Sequence, residues 1–492
     1  MDAVVALSGR DLTPEVLDEI ARSGTRVSIA ADAVGRIRAA QETVERAVAE
    51  GRPSYGVTTG LGSRVTNRID PDDDGELSLR TLRGRAVCVG EPLSPEVVRA
   101  AMATRLNGLC AGGSGASVEA AETLAAMLNA RVHPVVPRYG SIGAADLCLM
   151  AHIGLVVGGE GDADLDGRRL PGGEALAAAG IPPARLRLKD GLALCSASSV
   201  TAGVGALALV RGRRLLDALQ TAAALSMEGF RANLSPIDAR AVAARPAPGQ
   251  EWAATGLRAL VEGGSLAEPG AARRLQDPLS FRCVSQLHGS LHVAFELLGA
   301  AVEPELNGAS DNPLVIAAED VILPTGNFHT PTVALAADAV AIAITQVAAP
   351  SAERIGRLFN AHLSGLPANL TSWSPSSAGM APLQKPAHAL VSAIRHLAAP
   401  VSIDPSVSAD GVEDDATNAA HAVLRLTDQL DLLTKVIAIE LVCAAQAVDH
   451  AAPARLGAGT SVMQHRVRAL VEPLGDDRSL SADIERVAQL IA

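Results

Sequence analysis

Two tyrosines occur in this chain, and one of them, Tyr55, lies in Ser54-Tyr55-Gly56-Val57-Thr58-Thr59-Gly60-Leu61-Gly62. Glycines on both sides suit a mobile loop that presents a phenol, and a phenol serves as acid or base when its pKa falls. Taken alone, a loop tyrosine is more often structural. His288 and His292 stand four apart, the spacing that puts two imidazoles on one helix face as a metal pair. No Glu-x-x-His motif accompanies them, and no metal is expected. The glycine-rich stretch at 140–143 precedes an expected helix at 146–157. The free amides of a helix N-terminus can hold an anion there. The alternative is a helix capped by Asp146 with no ligand.

The composition indicates what holds these groups. Of 492 residues, 48% are apolar and only 2% aromatic, with a mean hydropathy of +0.23. Abundant alanine and leucine favour helices that approach closely. The length allows roughly two to four ordinary domains, or one large helical domain with a cap. A net charge of −12 and a pI near 5.4 argue against a nucleic-acid face. The short basic run Arg211-Gly212-Arg213-Arg214 reads as solvated helix surface. Six dispersed cysteines without paired spacing read as thiols in a reducing compartment, which points to the cytoplasm. The N-terminus has no basic and apolar leader pattern. No uninterrupted apolar stretch reaches about 18 residues, so no membrane span is expected.

Along the chain, Thr13-Pro14-Glu15 marks a helix start, with helix expected to about Glu50. A Gly/Thr/Asp-rich loop follows over 51–75, and loop with short strand over 160–190. Long helices are expected at 192–228, 281–303, 331–362, 381–398 and 414–450. Residues 243–270, rich in Pro and Gly, read as a surface excursion. The boundary between an N-terminal domain (1–200) and a long-helix bundle (201–492) is placed near 200.

Several motifs together resemble the aromatic amino-acid ammonia-lyases and aminomutases, the histidine, phenylalanine and tyrosine lyases. The Tyr55 loop is similar to the family's Tyr-Gly-Val-Asn-Thr-Gly-Phe-Gly. Gln276-Asp277-Pro278-Leu279-Ser280-Phe281-Arg282-Cys283 is similar to Gln-Asp-Ala-Tyr-Ser-Leu-Arg-Cys. Asn307 through Leu314 matches Asn-x-x-Ser-Asp-Asn-Pro-Leu, and Gly326-Asn327-Phe328-His329 follows at the family's interval. Arg105-Leu106-Asn107-Gly108-Leu109 and Gly191-Leu192-Ala193-Leu194 fit as well. The matches span roughly residues 50–420 in order. The resemblance implies a mainly α fold, a long-helix bundle of the fumarase/aspartase-like type with a smaller N-terminal cap. It also implies a homotetramer with shared active sites. By the same resemblance Tyr55 is the base, Arg282 clamps a carboxylate, and Gln276, Asn327 and Phe328 line or frame the substrate site.

The departures from the family fall at the chemistry. The family's Ala-Ser-Gly cyclises into methylidene-imidazolone (MIO), the electrophile. Here Gly143 is followed by Ala144, Ala145 and Asp146, with no leaving hydroxyl and no flexible glycine. The asparagine that supports the electrophile is Ser196. The position that selects the substrate ring is Arg85. A second tyrosine is Leu279, a late glutamate is Ala393, and Gln-Glu-Asp-His is Val412-Glu413-Asp414-Asp415. The expectation is therefore an MIO-independent lyase acting by elimination, addition or isomerisation on a small carboxylate, with no cofactor. Arg282 and Arg85 would hold its two ends. The alternatives are an MIO-dependent lyase or aminomutase in which Ala144 stands for a matured chromophore, and a non-catalytic homologue.

Overall fold

The computed structural model describes residues 4–69, 74–404 and 406–492, so part of the expected 51–75 loop lies outside the described residues. The fold is mainly helical, with short strands only in small two- and three-stranded sheets. The chain divides into two compact units. One comprises Met1–Val210, Leu298–Ala337 and Pro400–Leu424. The other comprises Arg211–Leu297, Asp338–Ala399 and Arg425–Ala492.

In the first unit the expected helix from Pro14 to Glu50 is interrupted. Helix Pro14–Asp18 passes into a π-turn, Glu19–Ser23, and ends at Gly24 in the left-handed region. Arg26–Ile29 then pairs in parallel with Val4–Leu7, and helix resumes over Ala31–Ala49. The β-branched pair Val27 and Ile29 takes the sheet, because strand Val4–Leu7 supplies ladder partners that a local reading cannot see. Helix Pro95–Cys110 starts at Ser94, whose hydroxyl accepts from Val97 N–H, and it is buried from Val98 to Cys110. Its charged residues are therefore matched. Arg99 donates to the carbonyls of Ile20, Ala21 and Leu128. Arg105 pairs with Asp311 at 2.6 Å and donates to Ala193 O. Lys189 donates to Ser114 O at 2.5 Å and lies 3.9 Å from Asp311. Burial lowers the Lys189 ammonium to about 8, while Asp311 holds it up. Helices Asp74–Arg83, Leu147–Val157 and Asp190–Cys195 pack together. Gly191 makes this possible, because a Cβ there would lie 2.3 Å from Ser78 O.

The expected helix 192–228 is two helices, Asp190–Cys195 and Ser199–Phe230, broken at Ser196–Ser198. The helix expected from 414 begins at Ala419, after Asn418 in the left-handed region.

In the second unit the expected excursion 243–270 contains a helix, Gln250–Val261, which buries Ala253, Ala254, Leu257 and Val261 and packs on Ala458–Arg468. Its apolar positions recur at helical spacing, a signal masked by the flanking Pro and Gly. Glu440 is fully buried. Arg354 Nε and Nη2 reach its two oxygens at 2.6 and 2.8 Å, and Ser226 and Ser351 donate at 2.8 and 2.5 Å.

Among the described residues, two helical segments, Asp190–Phe230 and Pro331–Phe359, are long and apolar enough to cross a membrane by length and composition alone. The apolar window of the first is 100% buried inside the protein, and that of the second 61%, as in core helices. All six cysteines are free thiols. Cys110, Cys195 and Cys443 are buried, the other three half-buried.

Candidate active site

A cavity of about 480 Å³ opens within the first unit. Seven separate stretches of the chain line it. Tyr55 comes from a tight turn in which Ser54 N–H donates to Thr58 Oγ1 at 2.8 Å and Thr58 Oγ1 donates to Arg52 O at 2.9 Å. The phenol oxygen accepts from Gly62 N–H at 2.8 Å, so the loop folds onto its own tyrosine. Arg64 follows at the end of the short Gly62–Arg64 turn, and both residues line the cavity. Arg85, half-buried, donates to Thr81 O at 3.1 Å and also lines it.

Ala144 and Ala145, within the segment 141–146, form a second part of the wall. Ala144 pairs with His329 in an antiparallel bridge, and Gly143 with Ala145. Thr417 Oγ1 donates to Gly143 O at 3.0 Å and Asn418 N–H to Ile142 O at 2.9 Å. Gly143 is in the left-handed region, and a Cβ there would lie 2.0 Å from Thr417 Oγ1. Ala145 shares that backbone region, at φ 59°.

Asp146 does not cap the helix that follows it. Its fully buried carboxylate instead accepts from Thr201 N–H at 2.8 Å, Thr201 Oγ1 at 3.1 Å and Ser141 Oγ at 3.1 Å. It thus satisfies the first turn of Ser199–Phe230, a remote helix. Burial pushes the carboxyl up to about 6 against the pull of these hydrogen bonds.

Ser196 and Phe328 also line the pocket, together with Asn312 and Glu413, two residues that lay within matched motifs but were given no site role there. Ser196 Oγ donates to Asn312 O at 3.4 Å, and Ser198 Oγ to Phe328 O at 2.5 Å. Glu413 is the acidic residue of the Val412-Glu413-Asp414-Asp415 segment in this lining. It closes a turn with Ser408, whose hydroxyl donates to its carboxylate at 2.5 Å. Two residues on, Asp415 meets His329 Nε2 at 2.7 Å.

Tyr55, Arg85, Ala144, Ala145, Ser196 and Phe328 are therefore gathered around one cavity. Asn327 is not in its lining. Its amide lies 3.4 Å from Ala309 O. Gln276 and Arg282 belong to the second unit. Gln276 is exposed, and half-buried Arg282 ends the short helix Leu279–Arg282. The two histidines at helical spacing part company. His288 is buried, and burial drives it well below its ordinary pKa, while His292 stacks on Trp252 at 4.2 Å. Among the described residues no three His, Cys, Asp or Glu side chains gather as a metal site. A larger cavity, about 700 Å³, lies in the second unit near Leu390 and Ala393. Its Lys435 and Arg478 are paired with Glu485 and Asp483.

The sequence profile of the aromatic amino acid lyase family matches residues 12–469. The chain is 39% identical over 485 residues to a histidine ammonia-lyase of Symbiobacterium thermophilum, covering 98% of this chain and 96% of that protein. Its structure is similar to that of the ergothioneine-degrading enzyme ergothionase from Treponema denticola, with a TM-score of 0.94, 30% identity, and coverage of 99% and 98%. It is also similar to histidine ammonia-lyase from Trypanosoma cruzi, with a TM-score of 0.93, 32% identity, and coverage of 99% and 93%.

Proposed function

This chain belongs to the aromatic amino acid lyase family and is a lyase, and from that premise we propose that it works without MIO on a small, amino-acid-like carboxylate. The observation that carries the reading is the sequence Ala144-Ala145-Asp146, whose two alanines line the cavity while Asp146 lies buried behind them. Forming the group there needs a hydroxyl that leaves as water and a glycine whose amide nitrogen turns back onto a carbonyl. Ala145 has only a methyl group, and Asp146 is committed to the Thr201 turn. The segment is also tied to His329, Thr417 and Asn418. These residues do not fit the group.

Without an electrophile, ammonia is a poor leaving group and the β-proton of an amino acid is barely acidic. A substrate with a better leaving group, or a more acidic proton, removes that barrier. Similarity to an ergothioneine-degrading enzyme supports such a substrate, because the nitrogen of ergothioneine is trimethylated. In this reading Tyr55 moves the proton, and its hydrogen bond from Gly62 N–H fixes the oxygen. The family resemblance gives the carboxylate to Arg282, whose planar fork suits it, and to Gln276; neither lines this cavity, and in the shared active site that the resemblance implies they are supplied by a neighbouring subunit. Arg85 meets a second polar group, and Ser196 and Phe328 shape the wall, with Asn327 framing the Phe328 turn.

The test is the intact mass of the purified protein, together with ammonia release from histidine, phenylalanine and tyrosine. The expected result is the encoded mass and no release. A deficit of two waters, or urocanate or cinnamate-type product, restores the MIO-dependent reading and removes this one.

A further inference from the structure

We propose that Arg64 and Arg85 together form the subsite for a second, anionic end of the substrate, which makes the preferred substrate a dianion. The inference deepens the functional reading above and rests on it for the word substrate.

Both guanidinium groups line the 480 Å³ cavity. Arg85 donates only to a backbone carbonyl, Thr81 O. Among the described residues no carboxylate pairs with either group. The one acidic side chain in the lining, Glu413, is held by the Ser408 hydroxyl. The lining therefore carries two cations against one anion. Two guanidinium groups in one pocket repel each other, and their shared complement is a ligand oxyanion. A planar carboxylate suits both forks, because each of its oxygens can accept from a separate guanidinium.

Arg64 also links this subsite to the proton-moving group. It closes the short turn that begins at Gly62, and Gly62 N–H is the donor to the Tyr55 oxygen. An anion that draws Arg64 inward holds the same turn that orients Tyr55. Selection of the distal group and placement of the phenol are thus two properties of one loop.

The experiment is isothermal titration of the full-length protein at low salt with adipate and with hexanoate, which has one carboxylate on the same chain length. Wild type should bind adipate at least roughly tenfold more tightly, the scale of a charge-assisted hydrogen bond. Arg64→Gln should lose about tenfold or more of the adipate affinity and leave hexanoate binding unchanged. Arg64 is exposed, so the variant should melt with wild type. Equal affinities for the two acids, no saturable adipate binding, or wild-type adipate affinity in Arg64→Gln would each overturn the proposal. The intact mass separates this result from the functional reading. Adipate selectivity that depends on Arg64, in a protein lighter by two waters, keeps the subsite and sinks the MIO-independent mechanism.

Discussion

Asp146 stands where the family's electrophile would end, and its burial gives it a measurable signature. The carboxyl is fully buried and is raised from 3.8 to about 6, chiefly by desolvation. Because the folded protein holds this proton more tightly than the unfolded chain, stability falls as pH rises from about 4 to about 6. At about 1.4 kcal/mol per pKa unit, the loss by neutral pH is about 3 kcal/mol. Asp146→Asn has no proton to bind. It does present an amide toward Thr201, whose N–H and hydroxyl both donate to the native carboxylate. One unsatisfied buried donor costs about 1–3 kcal/mol at every pH. The variant should therefore be less stable than wild type by that amount near pH 4 and close to parity above about pH 7. Urea denaturation of both proteins across this window measures the difference, which isolates Asp146 from other buried groups such as Asp190, also raised to about 6. A difference that stays constant with pH would refute the reasoning. It would mean that the carboxylate remains charged throughout and that the first turn of Ser199–Phe230 outweighs desolvation.

Two further outcomes are expected. Asp311→Ala leaves Arg105 and Lys189 buried without their carboxylate, and it should cost about 3–5 kcal/mol in chemical denaturation; a loss below about 1 kcal/mol would show that water replaces the carboxylate. The protein should be a homotetramer by light scattering, because Leu335 and Ile342 on Pro331–Phe359 and Val293 and Leu297 on Val284–Asn307 are exposed apolar residues. A stable monomer at micromolar concentration would contradict this. Helix Ala419–Ala451 gives little such support, since its apolar side chains other than half-buried Leu432 and Ala451 are covered within the chain.

The features legible in the sequence were those written locally. The long helices announce themselves by apolar spacing, and the motifs around Tyr55, Arg85, Ser196 and Phe328 converge on one cavity although they are far apart in the chain. Local spacing could not show partners. Arg26–Ile29 reads as helix until Val4–Leu7 supplies its ladder. Asp146 reads as the cap of the next helix, yet it serves Thr201, some fifty residues on. Arg64 and Glu413 reach the cavity through turns whose direction depends on backbone in the left-handed region, at Gly62 and at Ala409 and Asp410. Side-chain type and spacing carry no trace of that geometry.

The carboxylate of Glu440 has a consequence for how the second unit assembles. Its hydrogen bonds come from two other helices, Ser226 from one and Ser351 and Arg354 from another. A pair of these helices docked without the third would dehydrate an ion while part of its shell is missing, a costly state in an apolar interior. Water must therefore remain at the seam until the last helix arrives and must leave together with that arrival. Closure of the bundle is all-or-none at this point. A half-docked form would reveal itself as a hydrated gap running beside Glu440.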